Sequence, residues 1–244
     1  MCSSSAVAPK IERRLLRHLA FDSLLGMIVR GEIEPGARIH DQDMVEQLGI
    51  SRTPIREALT SLALYGLVVV DPNRTTIVTP LCRRGVLDDL QVLSALYPLA
   101  VSELLSGAGT ETLQQADATM NELIDTGTGK LDLLAYVADF LHKQTRNAAL
   151  AETIREMELR LLRYLFHYPE LLKQDCVVTQ LSHLMGLLSR RDGESVAQVA
   201  SAVGNLQGVI AHQTDELHTS FSYPPVSTAP GLMSALIVDR DAAK

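Results

Sequence analysis

The chain has no tryptophan, and aromatic residues are 4% of its 244 positions, so its cores must be built from aliphatic side chains. Cysteine is scarce as well. Cys2, Cys82 and Cys176 are odd in number and far apart, with no CxxC pair and no zinc-ligand spacing. That excludes a disulfide framework or a cysteine-based zinc finger and predicts reduced thiols. No uninterrupted apolar run approaches the ~18 residues a membrane span requires. The opening "MCSSSAVAPKIERRLLRHLA" lacks the charged-then-apolar layout of a signal peptide. The expectation is a cytoplasmic protein with no membrane partner. Positive charge is also in deficit: 22 Lys and Arg face 29 Asp and Glu, a net charge of -7. Such a balance argues against a protein that coats nucleic acid non-specifically. Motifs of common enzymes are missing too, with no nucleophile elbow, no phosphate loop and no HExxH.

What is present is a 46% hydrophobic content and an uneven distribution of charge. Residues 1–80 hold 9 Lys/Arg and 9 Asp/Glu, whereas residues 81–244 hold 13 and 20. Any contact with a polyanion therefore belongs to the first third of the chain and must be local. Residues 1–10 read as a disordered lead. From Ile11 to Arg30 apolar residues recur at helical spacing, and "GEIEPGARI" then breaks the helix. "DQDMVEQLG" is a short second helix that Asp41 can cap and Gly49 ends. Ser51 can cap a third helix, with Pro54 in its first turn and Gly66 at its stop. "LVVVDPNRTTIVTPL" places two β-branched runs around turn residues, the signature of a hairpin. The order is that of a winged helix-turn-helix over residues 11–80.

Beyond Thr79-Pro80 the texture becomes Leu- and Ala-rich with helical periodicity. Breaks fall near Gly107–Gly109, Gly127–Gly129, Asn147, Pro169 and Asp192-Gly193. Residues 83–218 therefore read as an all-α bundle of about six helices, and residues 219–244 as a loose tail. The fold expected is mainly α, a small winged domain followed by a helical one.

In the third predicted helix Ile55, Ala58, Leu59, Leu62 and Ala63 share one face. Arg52 and Arg56, four apart, share another near the N-terminus, beside Ser51 and Thr53. The N-terminal end of such a helix enters the DNA major groove, where Arg reads guanine through a two-pronged hydrogen bond and Ser or Thr holds phosphates. Asn73 and Arg74 at the wing tip would meet the flanking backbone or minor groove. Two arginines on an isolated helix would more simply be a solvated face. The preceding helix and trailing hairpin favour DNA.

The stretch "GEIEPGARIHDQDMVEQLGISRTPIREALTSLALYGLVVV" resembles the DNA-binding domain of the GntR family of bacterial transcription regulators. The helical remainder is similar to the FadR subfamily, in particular its VanR-like branch with a six-helix FCD effector domain. The resemblance implies a homodimer on a palindromic double-stranded DNA operator, most often a repressor, whose grip is altered by a small-molecule effector. By matched position it implies DNA contacts at Gln42, Ser51, Arg52, Thr53, Arg56 and the wing residues Asn73 and Arg74. Many relatives carry an arginine in place of Gln42.

Relatives also bind a divalent metal such as Zn or Ni in the bundle, through an aspartate and a histidine four apart plus two later histidines. His183 matches one later position, and Asn205 stands where the last histidine would be. One register puts Leu134 and Ala138 at the first pair; another uses Asp139 and His142. No metal is expected, and if one binds, its ligands are His183 with Asp139 and His142. Where relatives place an arginine and a glutamate on the first bundle helix, this chain has Leu93 and Tyr97, which weakens the case for an organic-acid effector. Tyr97, His142, Arg160, Tyr164, His183 and Asn205 are the candidate polar groups of an effector pocket expected to be unusually apolar. Two other readings stay open: a constitutive dimeric DNA binder that has lost effector and metal, and a metal-assisted enzyme with an accessory winged helix.

Overall fold

The computed structural model describes residues 8–70, 75–172 and 176–211. Helix α1 (Ala8–Val29) is followed by a two-residue strand β1 (Arg38–Ile39), helices α2 (Asp41–Leu48) and α3 (Arg52–Leu64), and strands β2 (Val68–Val70) and β3 (Thr76–Val78). The strands form one antiparallel sheet in the order β1-β3-β2, with Arg38 opposite Ile77 and Val68 opposite Val78. This is the winged helix-turn-helix that the residue order predicts. Strand β1 is its unforeseen part, because two residues after a Pro-Gly loop carry no periodicity to read.

The apolar face predicted for α3 is buried: Ile55, Ala58, Leu59 and Leu62 pack with Leu24 and Ile28 of α1 and with Leu67. Each buried leucine or isoleucine here contributes about 1.5–3 kcal/mol on leaving water. Helix borders differ from expectation in two places. Helix α1 starts at Ala8, one turn early, with Pro9 in the first turn where its missing N–H is no loss. Helix α2 has His40, not Asp41, at its N-cap; Asp41 is the first helical residue, and its carboxylate pairs with Arg56. Gly49 closes α2 in the left-handed conformation and Ser51 occupies the cap of α3, without a side-chain cap bond. The wing tip and the tail, residues 71–74 and 212–244, lie outside the described residues, as does most of the N-terminal lead.

Among the described residues six α-helices follow: α4 (Arg83–Gly107), α5 (Thr110–Asp125), α6 (Lys130–Gln144), α7 (Ala148–His167), α8 (Cys176–Ser189) and α9 (Glu194–Ala211). A 3₁₀ turn, Pro169–Leu172, joins α7 to α8. Every expected break falls at a helix end. Among the described residues, helix α4 is long and apolar enough to cross a membrane by length and composition. Its packing against α7 and α9, and its nearly buried Asp89, make it an element of the bundle. One stripe of α4 stays open: Val92, Ala95, Leu99, Ser102 and Ser106 are all exposed, at alternating spacings of three and four.

Helix α7 joins the two halves. Its Leu159 is buried in the core of the winged domain, while Leu161 and Leu165 are buried in the bundle. Arg160 reaches both sides. Its Nε and Nη2 donate to the two carboxylate oxygens of Asp89 at 2.8 and 2.7 Å, and its Nη1 donates to Glu156 at 2.7 Å and to the carbonyl of Tyr65 at 3.3 Å. Tyr65 closes α3 and donates from its hydroxyl to Glu152 of α7 at 3.3 Å. Arg163 donates to the carbonyl of Thr79, at the end of the wing. Two glycines with positive φ let the chains approach here. A Cβ on Gly66 (φ 69°) would sit 3.4 Å from the Arg160 guanidinium, and one on Gly31 (φ 74°) 2.8 Å from the His167 ring.

Candidate nucleic-acid interface and bundle cavity

The N-terminal end of α3 projects from the winged domain with Ser51, Arg52, Thr53 and Arg56 exposed, while Pro54 and Ile55 between them are buried. The helical repeat produces this split: the apolar face anchors the helix and the arginines are left on the outside, one turn apart. Their partners come from α2. Arg52 donates to the Gln42 side-chain oxygen at 2.5 Å, Gln42 in turn donates to Glu46 at 2.9 Å, and Arg56 pairs with Asp41 at 2.5 Å. These contacts are on the surface, where an ion pair contributes about 0–1 kcal/mol. Phosphates or base edges can displace such partners at little cost. Gln42 and the four α3 residues thus form one exposed polar surface. Asn73 and Arg74 lie outside the described residues.

The bundle contains a cavity of about 90 Å³ between α4, α6, α7, α8 and α9. Its walls are aliphatic, with Leu134, Val137 and Leu141 from α6 facing Leu161, Leu165 and Val203. Two polar side chains break the lining, Tyr97 of α4 and Glu158 of α7. The Tyr97 hydroxyl donates to Glu158 Oε1 at 2.7 Å. The other oxygen, Glu158 Oε2, is buried without a hydrogen-bond partner, in a residue only 1% exposed. Burial pushes the Glu158 carboxyl above the usual glutamate range, opposed by the Tyr97 hydrogen bond and the charge of Arg155. Burial and the Glu158 charge together hold the Tyr97 phenol well above its ordinary value.

Of the six candidate pocket residues, Tyr97 lines the cavity. The others are placed elsewhere, each for a local reason. Arg160 is committed to Asp89 and Glu156. Tyr164 is core, its ring tilted by 42° against that of Tyr168 with centroids 4.7 Å apart. The His142 ring lies 3.3 Å from the Ala151 carbonyl, and His183 and Asn205 are exposed on α8 and α9. The trio Asp139, His142 and His183 is not assembled either. Asp139 pairs with Lys143 at 2.6 Å, and among the described residues no three His, Cys, Asp or Glu side chains come together as a metal set. Leu134 and Ala138, the alternative register, are cavity wall. The donor set does not fit a metal of the kind the resemblance implied.

Glu158 is the site residue missed in the sequence. Its signal was present: in "IREMELRLLRYL" it stands four after Ile154 and three before Leu161, a carboxylate on the apolar side of a helix.

Comparison with known proteins agrees with the N-terminal geometry. Residues 16–78 match the family model described as bacterial regulatory proteins, gntR family. The HTH-type transcriptional regulator YdhC of Bacillus subtilis (strain 168) is 29% identical over 117 residues, 47% of this chain and 52% of that protein. YieP of Escherichia coli (strain K12), also an HTH-type transcriptional regulator, is 35% identical over 74 residues, 30% of this chain and 32% of that protein. The chain thus spans about half the length, or less, of these curated relatives. Among solved structures, E. coli McbR/YncC superposes with a TM-score of 0.63 at 20% identity, covering 80% of this chain and 97% of that one, a likeness of fold. Over residues 16–78, then, the chain is similar to the gntR family of bacterial regulatory proteins.

Proposed function

We propose that the protein is a cytoplasmic, sequence-specific DNA-binding transcription regulator that acts as a homodimer on a palindromic operator and responds to a small molecule in its helical half. The observation that carries this is the exposed tip of α3, where Ser51, Arg52, Thr53 and Arg56 stand on a helix whose other face is core. The positive end of the helix dipole adds to the attraction for a polyanion. Residues 11–80 are then the DNA-binding domain and residues 83–218 the effector-binding and dimerisation domain. Self-association is supported by the open stripe of α4, whose 3-4 spacing is that of helices that pack along a seam. Two α3 tips about one DNA turn apart would read a two-fold symmetric site. Gln42 fixes Arg52 in the free protein and joins the contact to the backbone, and Asn73 and Arg74 flank it.

Coupling between the halves is supported by α7, which puts Glu158, Leu161 and Leu165 on the cavity and Leu159, Arg160 and Arg163 on the winged domain. A ligand that repositions α7 shifts the population of domain arrangements and so the spacing of the two tips. Repression is the mode this reading favours.

In vitro selection of duplexes by the purified protein tests the proposal. It should yield an inverted repeat, and Arg52→Ala or Arg56→Ala should each abolish selection, since a bidentate base contact carries about 1–3 kcal/mol. Both variants should remain folded and dimeric. Retention of the same site by both would refute the role given to α3.

A further inference from the structure

The bundle cavity has a chemistry of its own. Its walls are hydrocarbon, and at one point they present a carboxyl whose two oxygens are unequally served. Tyr97 donates to Oε1 at 2.7 Å, whereas Oε2 is buried and unpartnered. A buried acceptor without a donor has lost its water and gained nothing in return, a deficit that a bound group can relieve. That group must donate. A carboxylate ligand would bring a second anion against Glu158 and is disfavoured for the same reason that paired carboxylates resist ionisation. A cationic donor satisfies the oxygen and neutralises the carboxylate in a low-dielectric site, where charge-assisted hydrogen bonds are strongest. Arg155 is near enough for its charge to act on Glu158 but is not hydrogen-bonded to it. Size narrows the class further. An apolar cavity of about 150 Å³ takes up benzene, so 90 Å³ has room for an alkyl body of about four carbons.

We propose that the cavity binds a small primary alkylamine, its ammonium donating to Glu158 Oε2 and its short alkyl body lying among Leu134, Val137, Leu161 and Val203. As an effector class this rests on the regulator reading above, but binding itself does not require DNA. Tyr97 holds Oε1 and leaves Oε2 as the carboxyl oxygen that lacks a donor. The site selects against organic acids of the same shape by charge and against longer amines by volume.

The test uses the full chain without DNA and three compounds of one shape: isobutylammonium, isobutanol and isobutyrate. Ligand-observed NMR and thermal shift should show binding by the amine, about tenfold or more weaker binding by the alcohol, which keeps a donor for Oε2 but lacks the positive charge that neutralises the carboxylate, and none by the acid. Glu158→Gln should lose the preference for the amine. Ala202→Leu, which fills the cavity and leaves the carboxyl intact, should remove binding of both the amine and the alcohol. Binding of isobutyrate as tight as that of the amine would overturn the proposal, and so would full amine affinity in Glu158→Gln or no amine binding by the parent chain. Operator binding is measured separately. An amine that binds through Glu158 without changing it would refute the effector role and leave the ligand class standing.

Discussion

Replacing Arg160 by Met should destabilise the protein far more than loss of a surface charge, and the structure sets the magnitude. The side chains of Arg160 and Asp89 are 11% and 12% exposed, and the guanidinium meets both carboxylate oxygens. Removing one member of such a pair leaves the other buried and uncompensated, at about 3–5 kcal/mol. The bond to Glu156 adds little, because that partner is 39% exposed. In urea, with a slope near the upper end of the usual range, about 3 kcal/mol per M, the midpoint should fall by about 1–1.7 M. The decisive arm is the double variant Asp89→Leu/Arg160→Met. Both positions are helical and tolerate these residues, and replacing an entire buried pair by hydrocarbon is often neutral or stabilising. It should recover most of the lost stability. If Arg160→Met costs less than about 1 kcal/mol, or if the double variant is no better than the single, the pair is not the buried, mutually dependent unit described here.

Two further outcomes follow from other parts of the molecule. Leu99→Glu places a charge in the exposed stripe of α4; sedimentation equilibrium should show dissociation to monomers with the helical content kept, and an unchanged dimer would place the seam elsewhere. Glu158→Gln should alter the pH dependence of stability with a definite sign. Burial raises the carboxyl above its unfolded value, so the unfolded chain gives up its proton first, and native stability falls as pH rises through the ordinary glutamate range to the raised one. Thermal denaturation of the Gln variant should lack that fall. Parallel pH profiles for the two proteins would contradict the assignment.

Much of the fold was legible because local chemistry and global packing agree. The 3.6-residue pattern of Ile55, Leu59 and Leu62 fixed the inner face of α3, and therefore the outer position of Arg52 and Arg56. Gly49 and Gly66 end their helices with positive φ, and each bundle break fell at a glycine, asparagine or proline. The bundle site was less legible. Polar residues on a largely buried helix can face a cavity, a core or a neighbouring domain, and spacing alone does not distinguish these fates. Tyr164 and Arg160 lie on the same helix as Glu158, yet one packs in the core, another ties two domains together, and only the third meets the cavity. That depends on which helices pack around α7, information spread over more than a hundred residues.

The placement of Leu159 has a practical consequence for anyone dissecting this protein. Cutting the chain after Thr79, where the texture of the sequence changes, would remove from the winged half a leucine that is 4% exposed in its own core and 80 positions downstream of the cut. The fragment would present the vacated surface to water, and its failure to behave as a free-standing module would reflect a missing piece of its interior rather than any weakness in its grip on DNA.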